Sequence, residues 1–116
     1  MTTTELMIGN WVLDTRTNTP LRVNPFMAEL EVPEWIPIPL SQEILEKNDF
    51  RKAYRTQRYK WQDMYGHSII IDLDDNSLVI KFDNQTIINV TFQKFVPVHF
   101  LQNALIFTNI KLKITI

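Results

Sequence analysis

The sequence predicts an α+β fold in a single domain over residues 1–116. Alternating apolar and polar residues in the second half of the chain are typical of antiparallel strands that bury one face. Two short segments carry apolar residues at helical spacing and interrupt these strands. The length is sufficient to bury a core and is ordinary for one domain.

We divide the chain into three stretches. Residues 1–32 form an N-terminal strand region, 33–50 an extended run plus a helix, and 51–116 a mainly antiparallel sheet, a second helix and a C-terminal strand. Turn-forming residues separate the apolar runs of the first stretch. We predict strands at Leu6–Leu13 and Leu21–Val23 and a third short strand or a loop at Met27–Val32.

The stretch 33–50 organises the chain. Its three prolines favour extended backbone up to Leu40, because proline restricts its own φ and the residue before it. Ser41 has the position and residue type of a helix N-cap. We predict that this helix ends at Asn48, because asparagine tolerates the left-handed backbone conformation that often follows a helix.

The last stretch has the clearest periodicity. Strands are predicted at Ser68–Leu73, Leu78–Phe82 and Thr86–Phe92, separated by turns of Asp and Asn. Pro97 opens a helix over Val98–Phe107. Ile110–Ile116 alternates without exception and predicts a final strand.

Composition bounds the class of protein. The formal net charge of −1 argues against general binding to nucleic acid or to anionic lipid. The absence of cysteine excludes disulfides and thiolate metal sites and fits a reducing compartment. Neither a signal peptide nor a membrane span is recognisable, so we expect a cytoplasmic protein without membrane contact.

Three segments resemble a group of small uncharacterised proteins of phages and mobile elements of Bacteroides-type bacteria. The matching segments are Leu-x-Ile-Gly-Asn-x-Val, Pro-Ile-Pro-Leu-Ser/Thr and Val-His-x-Leu-Gln-Asn. The matching residues are Leu6, Ile8, Gly9, Asn10, Val12, Pro37, Ile38, Pro39, Leu40, Ser41, Val98, His99, Leu101, Gln102 and Asn103. Such proteins often carry one glycine after each of the two helices, and in this sequence Asn48 and Asn109 replace these glycines. The resemblance implies an α+β accessory protein and supplies no catalytic residues.

A basic and aromatic run follows the first helix. Cations can hold phosphates while aromatic faces stack on bases, so the run is a candidate for nucleic-acid binding. An alternative is a solvated segment that pairs with the acidic stretch Glu29–Asp49 before it. The run's candidate residues are Arg51, Lys52, Arg55, Arg58, Lys60, Tyr59 and Trp61.

The conformation of this run decides between the two readings. In a strand, Arg58 and Lys60 share one face while Tyr59 and Trp61 point to the other. A helix would instead bring cations and aromatics together. We expect a strand, and therefore weak, salt-sensitive affinity for nucleic acid.

Residues for catalysis or metal binding do not form a recognisable set. Asp72, Asp74 and Asp75 resemble a hairpin turn more than a calcium loop, because the glycine and distal glutamate of such a loop are missing. His67 and His99 are isolated in sequence. We therefore expect no enzyme, no cofactor and no metal site.

The sequence favours a non-enzymatic accessory module of a phage or mobile element that binds a protein partner. Trp11, Trp35 and Trp61 are the candidate anchors, since tryptophan is enriched at the energetic centres of interfaces. The alternative is a nucleic-acid-binding accessory protein that uses the Arg51 to Trp61 run.

Overall fold

The computed structural model describes residues 10–23 and 35–116, and only the backbone of Trp35. Its two helices and two sheets confirm the α+β class. Residues 6–9 of the predicted first strand and all of Met27–Val32 lie outside the described residues. The elements are β1 (Trp11–Asp14), β2 (Thr19–Arg22), β3 (Trp35–Pro37), α1 (Gln42–Lys47), β4 (Arg51–Lys52), β5 (Arg58–Gln62), β6 (His67–Asp72), β7 (Ser77–Phe82), β8 (Gln85–Thr91) and α2 (Val98–Phe107).

The chain divides into two compact units. One comprises residues 1–39 and 97–111, and the other comprises residues 40–96 and 112–116. The prediction of one domain over residues 1–116 stays a prediction.

The first unit contains an antiparallel sheet in the order β2-β1-β3 together with α2. Pro20 lies in β2, an edge strand, where a missing N–H does not interrupt the sheet. Helix α2 spans the residues predicted for it. The buried apolar residues of this unit come from β1, from α2 and from the residues that directly follow β2 and α2. They are Val12, Val23, Val98, Leu101, Ala104, Leu105 and Ile110.

Two polar side chains of α2 bind the beginning of β1. Asn10 is buried, and its Nδ2 donates to Oδ1 of Asn103 at 2.8 Å. The backbone N–H of Trp11 donates to Oε1 of Gln102, also at 2.8 Å. These bonds satisfy polar groups that would be costly to bury unpaired.

The beginning of α2 also contacts the extended run before the first helix. The N–H of Val98 donates to the carbonyl of Ile38 at 2.8 Å, and Pro39 forms a β-bridge with Pro97. Residues from all three resembling segments therefore contact one another in this unit. These contacts hold the fold together. Membership of the family itself stays a prediction.

The second unit contains an antiparallel sheet in the order β4-β5-β6-β7-β8. Strands β6, β7 and β8 match the predicted strand positions to within one residue at each end. One face of the sheet is apolar, and its side chains are fully buried at Tyr59, Ile69, Ile71, Leu78 and Ile80.

Helix α1 begins as predicted. The Oγ of Ser41 accepts from the N–H of Ile44 at 3.3 Å, which confirms the N-cap. The position predicted for the left-handed residue after α1 is wrong by one. Asp49 has the left-handed backbone, with φ +67°, whereas Asn48 has φ −102°. The N–H of Phe50 donates to the carbonyl of Leu45 at 3.0 Å, which completes a Schellman motif and buries Phe50.

Helix α2 ends in the same motif. Asn109 has φ +58°, and the N–H of Ile110 donates to the carbonyl of Leu105 at 2.9 Å. Asn109 therefore occupies the position at which glycine is usual, as the sequence indicated.

The predicted final strand is wrong. Burial alternates along Ile110–Ile116 as expected, but the segment pairs with no strand among the described residues. The side-chain amide of Asn48 takes the place of a neighbouring strand. Its Nδ2 donates to the carbonyl of Thr115 at 2.7 Å, and its Oδ1 accepts from the N–H of Thr115 at 2.8 Å. An alternating pattern of apolar residues indicates that one side of a segment is buried. It does not indicate which groups form hydrogen bonds with the N–H and carbonyl groups of its backbone.

We expect Asn48→Ala to lower the free energy of unfolding by about 1–3 kcal/mol, because a buried amide loses bonds to Thr115 and to the carbonyl of Ile44. Ser41→Ala removes only the N-cap bond and should cost about 1 kcal/mol. Denaturant unfolding measures both. An Asn48→Ala protein as stable as wild type would mean that Asn48 does not hold the C-terminal segment.

Candidate interaction surfaces

The basic and aromatic run forms a hairpin. Arg51 and Lys52 form β4, Arg58–Gln62 form β5, and the two strands pair antiparallel. The predicted strand is therefore confirmed at both ends of the run. Arg55 lies in the intervening loop with φ +61°, and its guanidinium stands 5.1 Å from the ring centre of Tyr54.

The alternation of β5 separates most of the cations from the aromatics. Arg58 and Lys60 are exposed, whereas Tyr59 has no exposed surface. Burial raises the pKa of the Tyr59 hydroxyl, and the negative charge of Glu46 raises this pKa further. The hydroxyl has no hydrogen-bond partner among the described residues. Tyr59 is therefore a core residue and cannot stack on a base.

The solvent-facing side of the sheet is basic. Arg51 lies opposite Lys60 across β4 and β5, and Lys81 lies on the same face in β7. Arg58 faces Asp72 of β6, with Nε and Oδ2 3.7 Å apart. This ion pair lies outside the acidic stretch that the sequence suggested as a partner, and both of its residues lie on the basic face.

A groove lies where β4 ends beside β5. It has a volume of about 630 Å³ and is lined by Asp49, Phe50, Arg51, Lys60, Trp61 and Gln62. Because β4 is only two residues long, Trp61 reaches this groove although it points away from Lys60 along the strand. Three residues of the predicted nucleic-acid set therefore meet here.

Of the three candidate tryptophan anchors, Trp11 and Trp61 are not open surface residues. Trp11 is half-buried, with the guanidinium of Arg22 6.0 Å from the centre of its ring. Trp61 is half-buried in the wall of the groove. Trp35 lies in β3, and its side chain lies outside the described part of the structure.

Large apolar side chains are exposed at one end of the five-stranded sheet. Met64 and Tyr65 lie in the turn between β5 and β6 and are 87% and 73% exposed. Phe82 ends β7 and Ile87 lies near the start of β8, at the same end of the sheet, and both are close to half exposed. We call these four residues the apolar end.

The two turns of the apolar end are joined. The N–H of Asp83 donates to the carbonyl of Gly66 at 3.0 Å, and the rings of His67 and Phe82 lie 4.9 Å apart. Gly66 has φ +96°, a conformation that suits glycine and strains other residues. The turn that carries Met64 and Tyr65 is thereby fixed against the next hairpin.

The carboxylate of Asp63 organises this turn. Its Oδ1 accepts from the N–H groups of Tyr65 and His67, both at 2.9 Å, and its Oδ2 lies 2.9 Å from Nδ1 of His67. Burial alone would raise the pKa of Asp63. The hydrogen bonds from His67 and Tyr65 and the attraction of His67 outweigh burial, so this pKa is lowered.

The acidic turn between β6 and β7 is also structural. Oδ1 of Asp72 accepts from the N–H groups of Asp74 and Asp75, and Oδ2 faces Arg58. Within residues 10–23 and 35–116, no group of three or more His, Asp or Glu side chains is placed to hold a metal ion. His99 is buried in α2.

Sequence reasoning missed the apolar end because it weighed charged runs and tryptophans instead. One available indication was the pair Met64-Tyr65 beside a glycine between two strands, where polar turn residues are usual. Alternation places Phe82 on the same face of its strand as Leu78 and Ile80, yet Phe82 is 46% exposed because it ends the strand.

No protein-family model, curated protein or solved structure matches this chain. Among the helices of the described residues, none is long and apolar enough to cross a membrane.

The lowered pKa of Asp63 predicts a pH dependence. A carboxylate with a lowered pKa stabilises the fold at pH values above its unfolded pKa of about 3.9, and this contribution is lost as the pH falls through the folded pKa. Asp63→Asn should therefore be less stable than wild type near neutral pH, and the difference should shrink below about pH 4. Denaturant unfolding across this range tests it. A constant difference at every pH would contradict the role of the Asp63 charge.

Proposed function

We propose that this protein is a non-enzymatic interaction module that binds a protein partner through the apolar end. The observation that carries the proposal is the exposure of Met64 and Tyr65 on a turn whose backbone is fixed by Asp63. Exposed apolar clusters are characteristic of interaction sites, and a prearranged turn lowers the entropy that binding costs.

The residue types of the apolar end suit protein recognition. Tyr65 and Phe82 supply rigid aromatic surface, and methionine adapts to partners of different shape. The lowered pKa of Asp63 keeps its carboxylate ionised over the physiological range, so the turn holds its form there. The three resembling segments support an accessory protein of a phage or mobile element, and the lack of cysteine fits the reducing environment of a cytoplasm.

Nucleic acid is the second candidate, and the groove favours it. Arg51 and Lys60 supply cations beside the indole of Trp61, within a volume typical of small-ligand sites. Asp49 also lines the groove and would repel a phosphate. Tyr59 is buried, so stacking along several bases is not available on this strand.

The test compares two exposed aromatic surfaces of the same sheet. A tagged full-length chain is expressed in its native host, and retained proteins and nucleic acids are identified for wild type, Met64→Ser/Tyr65→Ser and Tyr54→Ser. Tyr54 is the matched control, because it is 83% exposed on a loop at the other end of the sheet. Thermal unfolding establishes that each variant folds.

We expect a protein retained by wild type and by Tyr54→Ser and lost from the double variant. The loss in affinity should be at least about tenfold, as is typical when central aromatic residues of an interface are truncated. Equal retention by the double variant would contradict the proposal. Recovery of nucleic acid that is lost on Arg51→Glu/Lys60→Glu would favour the second candidate.

A further inference from the structure

The five-stranded sheet has two edges of different character. Strand β4 forms one edge, and it is two residues long and consists of Arg51 and Lys52. Strand β8 forms the other edge, with seven residues and no charge in Gln-Thr-Ile-Ile-Asn-Val-Thr. Proteins protect exposed edges with charge, proline, short length or β-bulges, and of these β8 has only a bulge near its start.

The outer side of β8 has no strand paired to it among the described residues. Within the described residues, β7 is the only strand that hydrogen-bonds to it. The N–H of Phe92 donates toward β7, to the carbonyl of Asn76. Alternate residues of an antiparallel strand direct their backbone groups to opposite sides, so Asn89 and Thr91 direct theirs away from β7. Ile88 and Val90 are half-buried, although their partners Ile80 and Leu78 in β7 are fully buried.

We infer that β8 pairs antiparallel with β8 of a second copy of this chain and joins two five-stranded sheets. A second copy suits this edge because two uncharged strands meet without repulsion. Antiparallel pairing also brings the turn that precedes β8, which carries Asp83, toward the segment that follows β8 of the second copy, which carries Lys94. Both residues are exposed. The β4 edge cannot pair in this way, since Arg51 and Lys52 would face their own copies.

This difference between the edges limits assembly to a dimer. A two-fold pairing uses the same surface on both copies and closes, whereas pairing at both edges would propagate. The β-bulge between Ile80 and Lys81 interrupts the ladder near the start of β8 and leaves residues 88–91 as its regular part. Asn89 is a residue of this part that directs its backbone groups outward, so we place the two-fold axis beside it. Pairing would also cover the exposed side of Ile88 and Val90.

The first measurement is the molar mass of the full-length protein as a function of concentration, by sedimentation velocity. Strand pairing alone gives a small interface, so we expect dissociation in the range of about 10–100 μM. Asn89→Lys introduces one positive charge per copy beside the two-fold axis and should weaken dimerisation at least about tenfold. Gln62→Lys is the matched control, because Gln62 is an exposed strand residue far from β8 in the sheet order.

The absence of cysteine allows a second, independent measurement. Asn89→Cys should form a disulfide-linked dimer on mild oxidation, and Gln62→Cys should not. A protein that is monomeric at about 500 μM, well above the expected dissociation range, would overturn the inference. Undiminished dimerisation of Asn89→Lys, or cross-linking through Gln62→Cys alone, would overturn it as well. Binding of an unrelated extended peptide to a monomer would assign the edge to another occupant.

The inference and the proposed function share only Ile87, which lies in β8 and belongs to the apolar end, whereas Met64 and Tyr65 lie outside β8. Met64→Ser/Tyr65→Ser should leave the dimer intact, and Asn89→Lys should leave partner capture through the apolar end intact. The two sets of variants therefore separate a failure of one proposal from a failure of the other.

Discussion

Alternation along the strands of the five-stranded sheet decides which side chains this protein can present. One face must be buried, because Tyr59, Ile69, Ile71, Leu78 and Ile80 together supply its apolar surface. Once these residues face inward, the cations of β5 have to face water. The basic face and the buried tyrosine are thus two consequences of one constraint.

Because alternation fixes what the faces of the sheet present, we propose recognition at its ends and edges. Alternation no longer applies in the turns, where Met64 and Tyr65 can both be exposed. A turn can present apolar groups reliably only if its backbone is fixed, and the carboxylate of Asp63 provides this by accepting two backbone N–H groups. At the edge, β8 has no charged residue, and its Ile88 and Val90 are only half-buried. A second strand paired to β8 would cover them further.

Features that depend on local chemistry could be predicted from the sequence. The N-cap at Ser41 and the bounds of α2 follow from neighbouring residues alone. The left-handed residue after α1 was misplaced by one position, since Asn48 and Asp49 both tolerate that conformation. The final segment was wrongly predicted as a strand, because alternation indicates which residues are buried but not which group bonds the backbone. The group that bonds the backbone of Thr115 is the side chain of Asn48, 67 residues away in sequence. The apolar end was missed because exposure depends on where the strands end.

The most direct test of this account is hydroxyl-radical footprinting of the three tyrosines in the folded protein. Tyr54 and Tyr65 are largely exposed, whereas Tyr59 is fully buried, although Tyr59 lies between them in sequence. The account predicts rapid oxidation of Tyr54 and Tyr65 and protection of Tyr59 until the protein unfolds. Oxidation of Tyr59 at a rate comparable to that of Tyr65 in the folded protein would show that β5 faces the other way, and would contradict the account.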